Sequence, residues 1–162
     1  MLQIVLIGEE NPELDNIRNL FREYEQELGE DLCFQSFEAE LKDPLKKYGP
    51  PTGTLLLAYW EREIAGCIAL TAMQEPSTCE MKRLYVKPAL RKYGIGRKLA
   101  EELLKRAVEK GYTTMKLDTL EKLQAAIRLY EQLGFEKTAP YYANPLPGVV
   151  YMEKKLDTAN SL

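Results

Sequence analysis

The segment Arg91-Lys92-Tyr93-Gly94-Ile95-Gly96-Arg97-Lys98-Leu99 directly follows the apolar run Leu84-Tyr85-Val86 and opens a strongly helical stretch. Two glycines separated by one residue let the backbone turn tightly and approach a ligand closely, because neither carries a Cβ. The helix that follows aims its unpaired N–H groups and the positive end of its dipole at the same place. A strand, a glycine turn and a helix N-terminus in this order form a cradle for an anion, most naturally a pyrophosphate. Arg91, Lys92, Arg97 and Lys98 surround it with cations, and each charge-assisted hydrogen bond contributes roughly 1.5–3 kcal/mol. The segment is neither GxxxxGK[ST] nor GxGxxG, since position 99 is Leu where the second needs Gly or Ala. A tight strand-to-helix connection without a ligand would use the same two glycines.

Downstream of the cradle, Leu99, Leu103, Leu104, Ala107 and Val108 mark one helix face, and Gly111 stops it. Residues 113–117 read as a short strand, and Leu123, Ala126, Ile127, Tyr130 and Leu133 as a second helical stripe ended by Gly134. Residues 149–152 read as a final strand after a turn-rich stretch. Upstream, residues 80–86 form a strand stopped by Pro88, which has no N–H to give a ladder. Residues 54–60 and 64–73 read as an antiparallel hairpin joined near Glu61-Arg62-Glu63, and residues 46–53, with two prolines and two glycines, as a loop. The chain opens with a strand at residues 2–7 and a helix from Pro12 to a stop at Gly29, while Phe34, Phe37 and Leu41 suggest another short helix. Without repeat, linker or low-complexity segment, residues 1–162 read as a single mixed α/β domain (α+β mixed sheet).

Composition limits the chemistry. The absence of histidine excludes Ser-His-Asp, Cys-His and HExxH arrangements, so proton transfer must fall to Glu, Asp, Tyr, Lys, Cys or water. Cys33, Cys67 and Cys79 are odd in number and lack CxxC spacing, which indicates neither a disulfide framework nor a zinc site and fits a reducing cytoplasm. No metal site is expected. A net charge of −3 argues against a nucleic-acid binder. Neither a signal peptide nor a run approaching a membrane span is present, so a soluble cytoplasmic protein without membrane partner is expected, as monomer or homodimer.

Arg91-x-x-Gly94-x-Gly96 resembles the acetyl-CoA pyrophosphate motif of the GNAT superfamily of N-acetyltransferases. Its neighbours agree. Leu84-Tyr85-Val86-Lys87-Pro88 is similar to the family's central strand, and Ala126-Ile127-Arg128-Leu129-Tyr130-Glu131-Gln132-Leu133-Gly134-Phe135 to its second conserved helix and turn. In order and spacing the likeness covers most of residues 55–156. It implies the GNAT acyl-CoA N-acyltransferase fold: a central, mostly antiparallel sheet of about six to seven strands flanked by about four helices. It also implies acetyl transfer from acetyl-CoA to the primary amine of a small molecule or peptide. A non-catalytic acyl-CoA-binding or regulatory domain is the alternative from another class, and transfer of a longer acyl group is the alternative reaction.

The same resemblance implies site residues. Leu84, Tyr85 and Val86 would lie along the cofactor, with Leu84 and Val86 giving backbone hydrogen bonds to its pantetheine arm. Lys92, Tyr93, Gly94, Ile95, Gly96 and Arg97 would present cradle amides to the pyrophosphate, and Arg91 would bind the phosphate or shape the loop. Tyr130 would protonate the departing thiolate, although its position on an apolar stripe equally suits a core tyrosine. The Asn often found seven residues earlier is Leu123 here. Glu80 is the candidate base, and a solvated or ion-paired strand carboxylate is its plain structural reading. Neutralising a lysine-like amine of pKa about 10.4 at pH 7 costs about 4–5 kcal/mol, against about 1 kcal/mol for an α-amine near 8. Arg83, Tyr141, Tyr142 and Asn144 are the acceptor-site candidates. Arg83 would grip a substrate carboxylate or pair internally with Glu80 or Glu38. An acyl-cysteine route through Cys79 lacks a histidine to activate the thiol, and buried cysteine is the commoner outcome.

Overall fold

The computed structural model describes residues 1–32 and 36–157. In chain order its elements are β1 (Leu2–Leu6), α1 (Glu13–Leu28), α2 (Phe37–Lys42), α3 (Pro44–Tyr48), β2 (Thr54–Trp60), β3 (Glu63–Ala72) and β4 (Thr78–Val86). A 3₁₀ turn (Pro88–Tyr93) follows, then α4 (Ile95–Glu109), β5 (Thr114–Leu120), α5 (Gln124–Gln132), β6 (Glu136–Lys137) and β7 (Val149–Lys155). The strands form one seven-stranded sheet in the order β1-β2-β3-β4-β5-β7-β6. Every pairing is antiparallel except β4 with β5, which is parallel because α4 crosses over between them.

Apolar periodicity sets the layers. The α1 stripe of Leu14, Ile17, Leu20, Phe21 and Leu28 is buried against one face of the sheet, together with Phe37 of α2 and Tyr48 of α3. The α4 stripe of Ile95, Leu99, Leu103 and Ala107 packs with α5 on the other face. Each fully buried Leu or Ile contributes roughly 1.5–3 kcal/mol. The β2–β3 hairpin turns in two residues, Glu61 and Arg62, both at positive φ (49° and 70°), so that the turn twists with its strands.

Several boundaries differ from the sequence reading. Part of the 46–53 segment read as loop is helical: Pro44 starts α3, its fixed φ suiting a first helical turn, and Tyr48 closes it against the core. Phe34 lies outside the described residues, and the helix expected around it begins at Phe37. The fifth strand extends to Leu120 and the last to Lys155, because pairing with each other satisfies both beyond their apolar runs. The two-residue β6 carried no apolar signal.

The feature that positions everything else lies in β4. Two of its residues, Arg83 and Leu84, stand opposite the single Ile68 of β3, with Lys82 paired to Ala69 and Tyr85 to Cys67. Arg83 takes φ +61°, a left-handed conformation that is unfavourable for a residue with a Cβ. The bulge reverses the in–out alternation. Cys79 and Met81 face the α4 layer before it, and Val86 faces that layer after it, while Tyr85 turns to the α1 layer. Pairing of β4 with β5 covers only Thr78, Cys79 and Glu80 opposite Thr114, Met115 and Lys116. Beyond that point the two strands part.

Arg83 is held in place by Glu40 of α2. Its Nε and Nη2 donate to the two carboxylate oxygens, each at 2.9 Å, and both residues are 3% exposed. Removing one member of such a pair strands a buried charge. Glu40→Leu is therefore expected to lose about 3–5 kcal/mol of stability. The Glu40→Leu/Arg83→Met double variant should lose less than the single, as read from urea midpoints.

Candidate active site

Where β4 leaves β5 a cleft opens, and three cavities follow one another along it. The first, about 410 Å³, runs between the end of α1, the 3₁₀ turn and the starts of α4 and α5; Leu84, Tyr85, Val86, Gly94 and Gly96 line it. A small second cavity of about 90 Å³ lies deeper in the fork and shares Leu84, Leu123 and Ala126 with the first; Lys82, Asp118 and Tyr130 close it. The third, about 540 Å³, opens on the far side among Lys47, Glu80, Lys82, Tyr141 and Tyr142.

The first cavity has the shape of an anion cradle joined to an extended arm. Gly94 precedes α4 at φ +72°, where any other residue would be strained. The α4 ladder begins with Lys98 donating to the Gly94 carbonyl at 3.2 Å, which leaves the N–H groups of Ile95, Gly96 and Arg97 without helical acceptors. A Cβ on Gly96 would meet only Val86 and Leu129 side-chain atoms, at 3.7 and 3.9 Å, so packing alone does not require glycine there. Close approach of a ligand does. The Tyr85 carbonyl faces β3, lying 2.4 Å from where a Gly66 Cβ would stand, and strand alternation therefore turns the backbone groups of Leu84 and Val86 toward the fork. These groups suit a diphosphate joined to a chain carrying amides.

The cations of the motif are engaged elsewhere. Arg91 donates from Nε to the Val86 carbonyl at 2.9 Å and from Nη2 to Glu27 at 2.5 Å, with its guanidinium over the Tyr85 ring. It fixes the loop to the strand, and it takes one of the two backbone groups expected of Val86. Arg97 bonds Gln132 of α5, and the Lys92 ammonium lies over the Tyr93 ring. Tyr93 itself stacks on Trp60, with ring centroids 4.6 Å apart.

The fold has counterparts among known proteins. The model of the acetyltransferase (GNAT) family matches residues 14–135. An uncharacterised N-acetyltransferase of Schizosaccharomyces pombe is 46% identical over 145 residues, 89% of each chain. A GNAT-family acetyltransferase of Staphylococcus aureus superposes with a TM-score of 0.78 at 18% identity, over 96% of this chain and 100% of that one. A Bacillus subtilis acetyltransferase crystallised with CoA superposes at 0.67 and 24% identity, over 96% and 99%. The chain belongs to the GNAT acetyltransferase family. It is an acetyl-CoA-dependent N-acetyltransferase. Among the described residues no helix is long and apolar enough to cross a membrane, and no cluster of potential ligands could hold a metal ion.

Within this GNAT frame the catalytic candidates fall on two sides of the fork. Tyr130 closes the small cavity, with its ring edge-on to Phe135 at 5.9 Å. Burial pushes its phenol well above the ordinary range, so the hydroxyl stays protonated. Glu80 lies on the acceptor side and accepts a hydrogen bond from Tyr141 at 2.7 Å. Burial first, and then the Glu80 charge, raise the Tyr141 pKa strongly.

Two acceptor-site expectations change. The Arg83 guanidinium pairs internally, with both donor edges spent on Glu40 rather than on the Glu80 or Glu38 expected as its partner, while the residue also lines the small cavity. Asn144 does not line the acceptor cavity; its Nδ2 donates to Asp118 at 2.7 Å and its Oδ1 accepts from Leu146 N at 2.9 Å, which ties the β6–β7 loop to β5. Tyr141 and Tyr142 do line that cavity, and the Tyr142 hydroxyl bonds Asp118. Cys79 is buried with its thiol pushed up to about 12, chiefly by burial, which removes the thiolate that an acyl-cysteine route needs.

Lys82 and Asp118 were missed by the sequence reading. The signal that could have found Lys82 is the change of apolar parity from Cys79 and Met81 to Leu84 and Val86, which marks a bulge directly after it. Asp118 had no such mark: it falls one residue beyond the strand read over residues 113–117.

Gly96→Val is expected to raise the Kd for CoA at least about tenfold by filling the cradle, the size of effect a lost hydrogen bond to a charged group would give. Its melting temperature should stay within a few degrees of the wild type, since the first Cβ has room. Isothermal calorimetry with CoA and a thermal melt check both.

Proposed function

We propose that the protein acetylates the primary amine of a small molecule or peptide by direct attack within a ternary complex. One observation carries this reading: a cofactor-shaped cavity and an acceptor cavity are linked through the small cavity in the β4–β5 fork, which shares Leu84 with the first and Lys82 with the second and is closed by Tyr130. Two reactants held in one cleft need no covalent relay through the enzyme. Acetyl-CoA, when bound, supplies an electrophilic thioester carbonyl.

The residues would divide the work as follows. The cradle amides from Lys92 to Arg97, with Gly94 and Gly96, hold the diphosphate, and Leu84 with the free backbone group of Val86 pairs with the arm. The Leu84 backbone, turned toward the fork by the bulge, is placed to polarise a carbonyl oxygen. Tyr130, kept neutral by burial and without a protein hydrogen-bond partner among the described residues, donates its proton to the departing sulfur. Glu80 is the carboxylate toward which the acceptor's proton leaves, and Tyr141 and Tyr142 form the aromatic wall along the acceptor. Leu123 gives the first cavity an apolar surface, as its departure from the family's frequent Asn implies.

A screen of amino acids, polyamines, aminoglycosides and peptides, read by thiol release and product mass, tests this function; folded protein that binds CoA yet turns over no amine would sink it. Tyr130→Phe should lower kcat about 100-fold. The same variant should leave the Kd for CoA unchanged in calorimetry, and an unchanged kcat would remove the acid role.

A further inference from the structure

We infer that Lys82 is the group that takes the proton from the acceptor amine, passing it outward to the Glu80 side of the acceptor cavity. The inference rests on the transfer reaction proposed above. Its starting point is position. Lys82 lines both the small cavity that holds Leu84 and Tyr130 and the acceptor cavity that holds Glu80, whereas Glu80 reaches only the second. An amine moving from the acceptor side to the fork therefore reaches Lys82 after it has passed Glu80.

The backbone explains the placement. The β4–β5 ladder ends at Glu80 opposite Lys116, so two residues further Lys82 stands opposite Asp118 just where the strands separate. The bulge at Arg83 follows at once. Lys82 is thus 6% exposed yet borders open space on two sides. Asp118 is fixed by Tyr142 and by Asn144, and it faces the same small cavity.

The electrostatics suit a reversible proton acceptor. The charged groups around Lys82 are Glu80 and Arg83 on β4, Asp118 on β5 and Lys47 on α3, with the phenols of Tyr24 and Tyr130 across the small cavity and those of Tyr141 and Tyr142 across the acceptor cavity. Burial lowers the Lys82 pKa to about 8, Arg83 and Lys47 push the same way, and Glu80 and Asp118 oppose them. A lysine so tuned is partly neutral at working pH and can act as a base, which an arginine in its place could not.

The step balances. The lone pair on neutral Lys82 Nζ takes one proton from the acceptor ammonium, the N–H bonding pair stays on the acceptor nitrogen as its nucleophilic lone pair, and Lys82 becomes an ammonium beside Asp118 and Glu80. That ammonium releases its proton to the Glu80 carboxylate or to water in the acceptor cavity. A second proton leaves the same nitrogen after the C–N bond forms and, passed through water in the fork, returns to the Tyr130 phenolate, replacing the one Tyr130 gives to sulfur.

The test compares wild type, Lys82→Met and Lys82→Arg on primary amines of falling basicity, from ethylamine through glycinamide to aminoacetonitrile, alongside any acceptor from the broad screen. Both variants should lose about 100-fold in kcat/KM on the most basic amines and only a few-fold on aminoacetonitrile, which is already neutral at pH 7.5. Equal loss across the series, or full activity in Lys82→Arg, would show a packing or charge role and overturn the inference. So would a ¹⁵N titration in which Lys82 Nζ stays protonated to pH 10. Wild-type protein that turns over no amine overturns the transfer reading and this one together, whereas turnover without selective dependence on Lys82 overturns this one alone.

Discussion

The arrangement of the site depends on a residue held where residues with side chains rarely sit. Arg83 at φ +61° costs roughly 1–2 kcal/mol of backbone strain. The two hydrogen bonds from its guanidinium to Glu40, made in full burial between α2 and β4, give that conformation a fixed partner. Packing of the guanidinium against the rings of Tyr24 and Phe37 adds to the hold. Were Arg83 to relax to ordinary strand geometry, the residues after it would exchange faces. The Leu84 and Val86 backbone groups would then turn back into the sheet, and the opening between β4 and β5 would lose its reason.

Around the proposed cofactor cavity the cationic side chains are held by protein partners, which leaves recognition in that proposal mainly to the main chain. Arg91 and Arg97, which a sequence motif presents as phosphate ligands, are tied to Glu27, Val86 and Gln132, and Lys122 to the Leu28 carbonyl and Glu30. Their contribution is to hold α1, the 3₁₀ turn and the two helix N-termini around the cavity at fixed angles. In the reading proposed here the anion is left to amide N–H groups and the α4 dipole, which need no side-chain ordering when the ligand arrives. A chain with net charge −3 can hold a polyanion in this way, because the positive potential is local to a helix end.

The elements around the proposed cofactor cavity were legible because their physics is local. A glycine at positive φ, a proline that ends a strand and an apolar stripe of helical period each leave a mark within a few residues, so the cradle, β4 and the two helices behind it could be read directly. The acceptor half was not, because its contacts join residues far apart in the chain. Glu40 and Arg83 are 43 positions apart, Tyr141 and Glu80 are 61 apart, and Asn144 and Asp118 are 26 apart. For a carboxylate such as Glu38, Glu40 or Glu80, composition says only that a partner is needed. Which arginine or tyrosine supplies it is settled by the register of β4 and the path of the β6–β7 loop.

The absence of histidine raises the question of where a proton donor and a proton acceptor come from near neutral pH. In the mechanism proposed here burial at the fork serves both halves, because removing a group from water disfavours its charged form. For a phenol the charged form is the anion, so Tyr130 is driven up and stays a donor. For an amine the charged form is the cation, so Lys82 is driven down toward the range in which it gives up its proton. One desolvated crevice thus moves two groups in opposite senses from the same cause, the condition under which an acid and a base can coexist in the lining of one cavity. The carboxylates Glu80 and Asp118 limit the shift on Lys82 and keep it reversible, which a fully apolar pocket would not do.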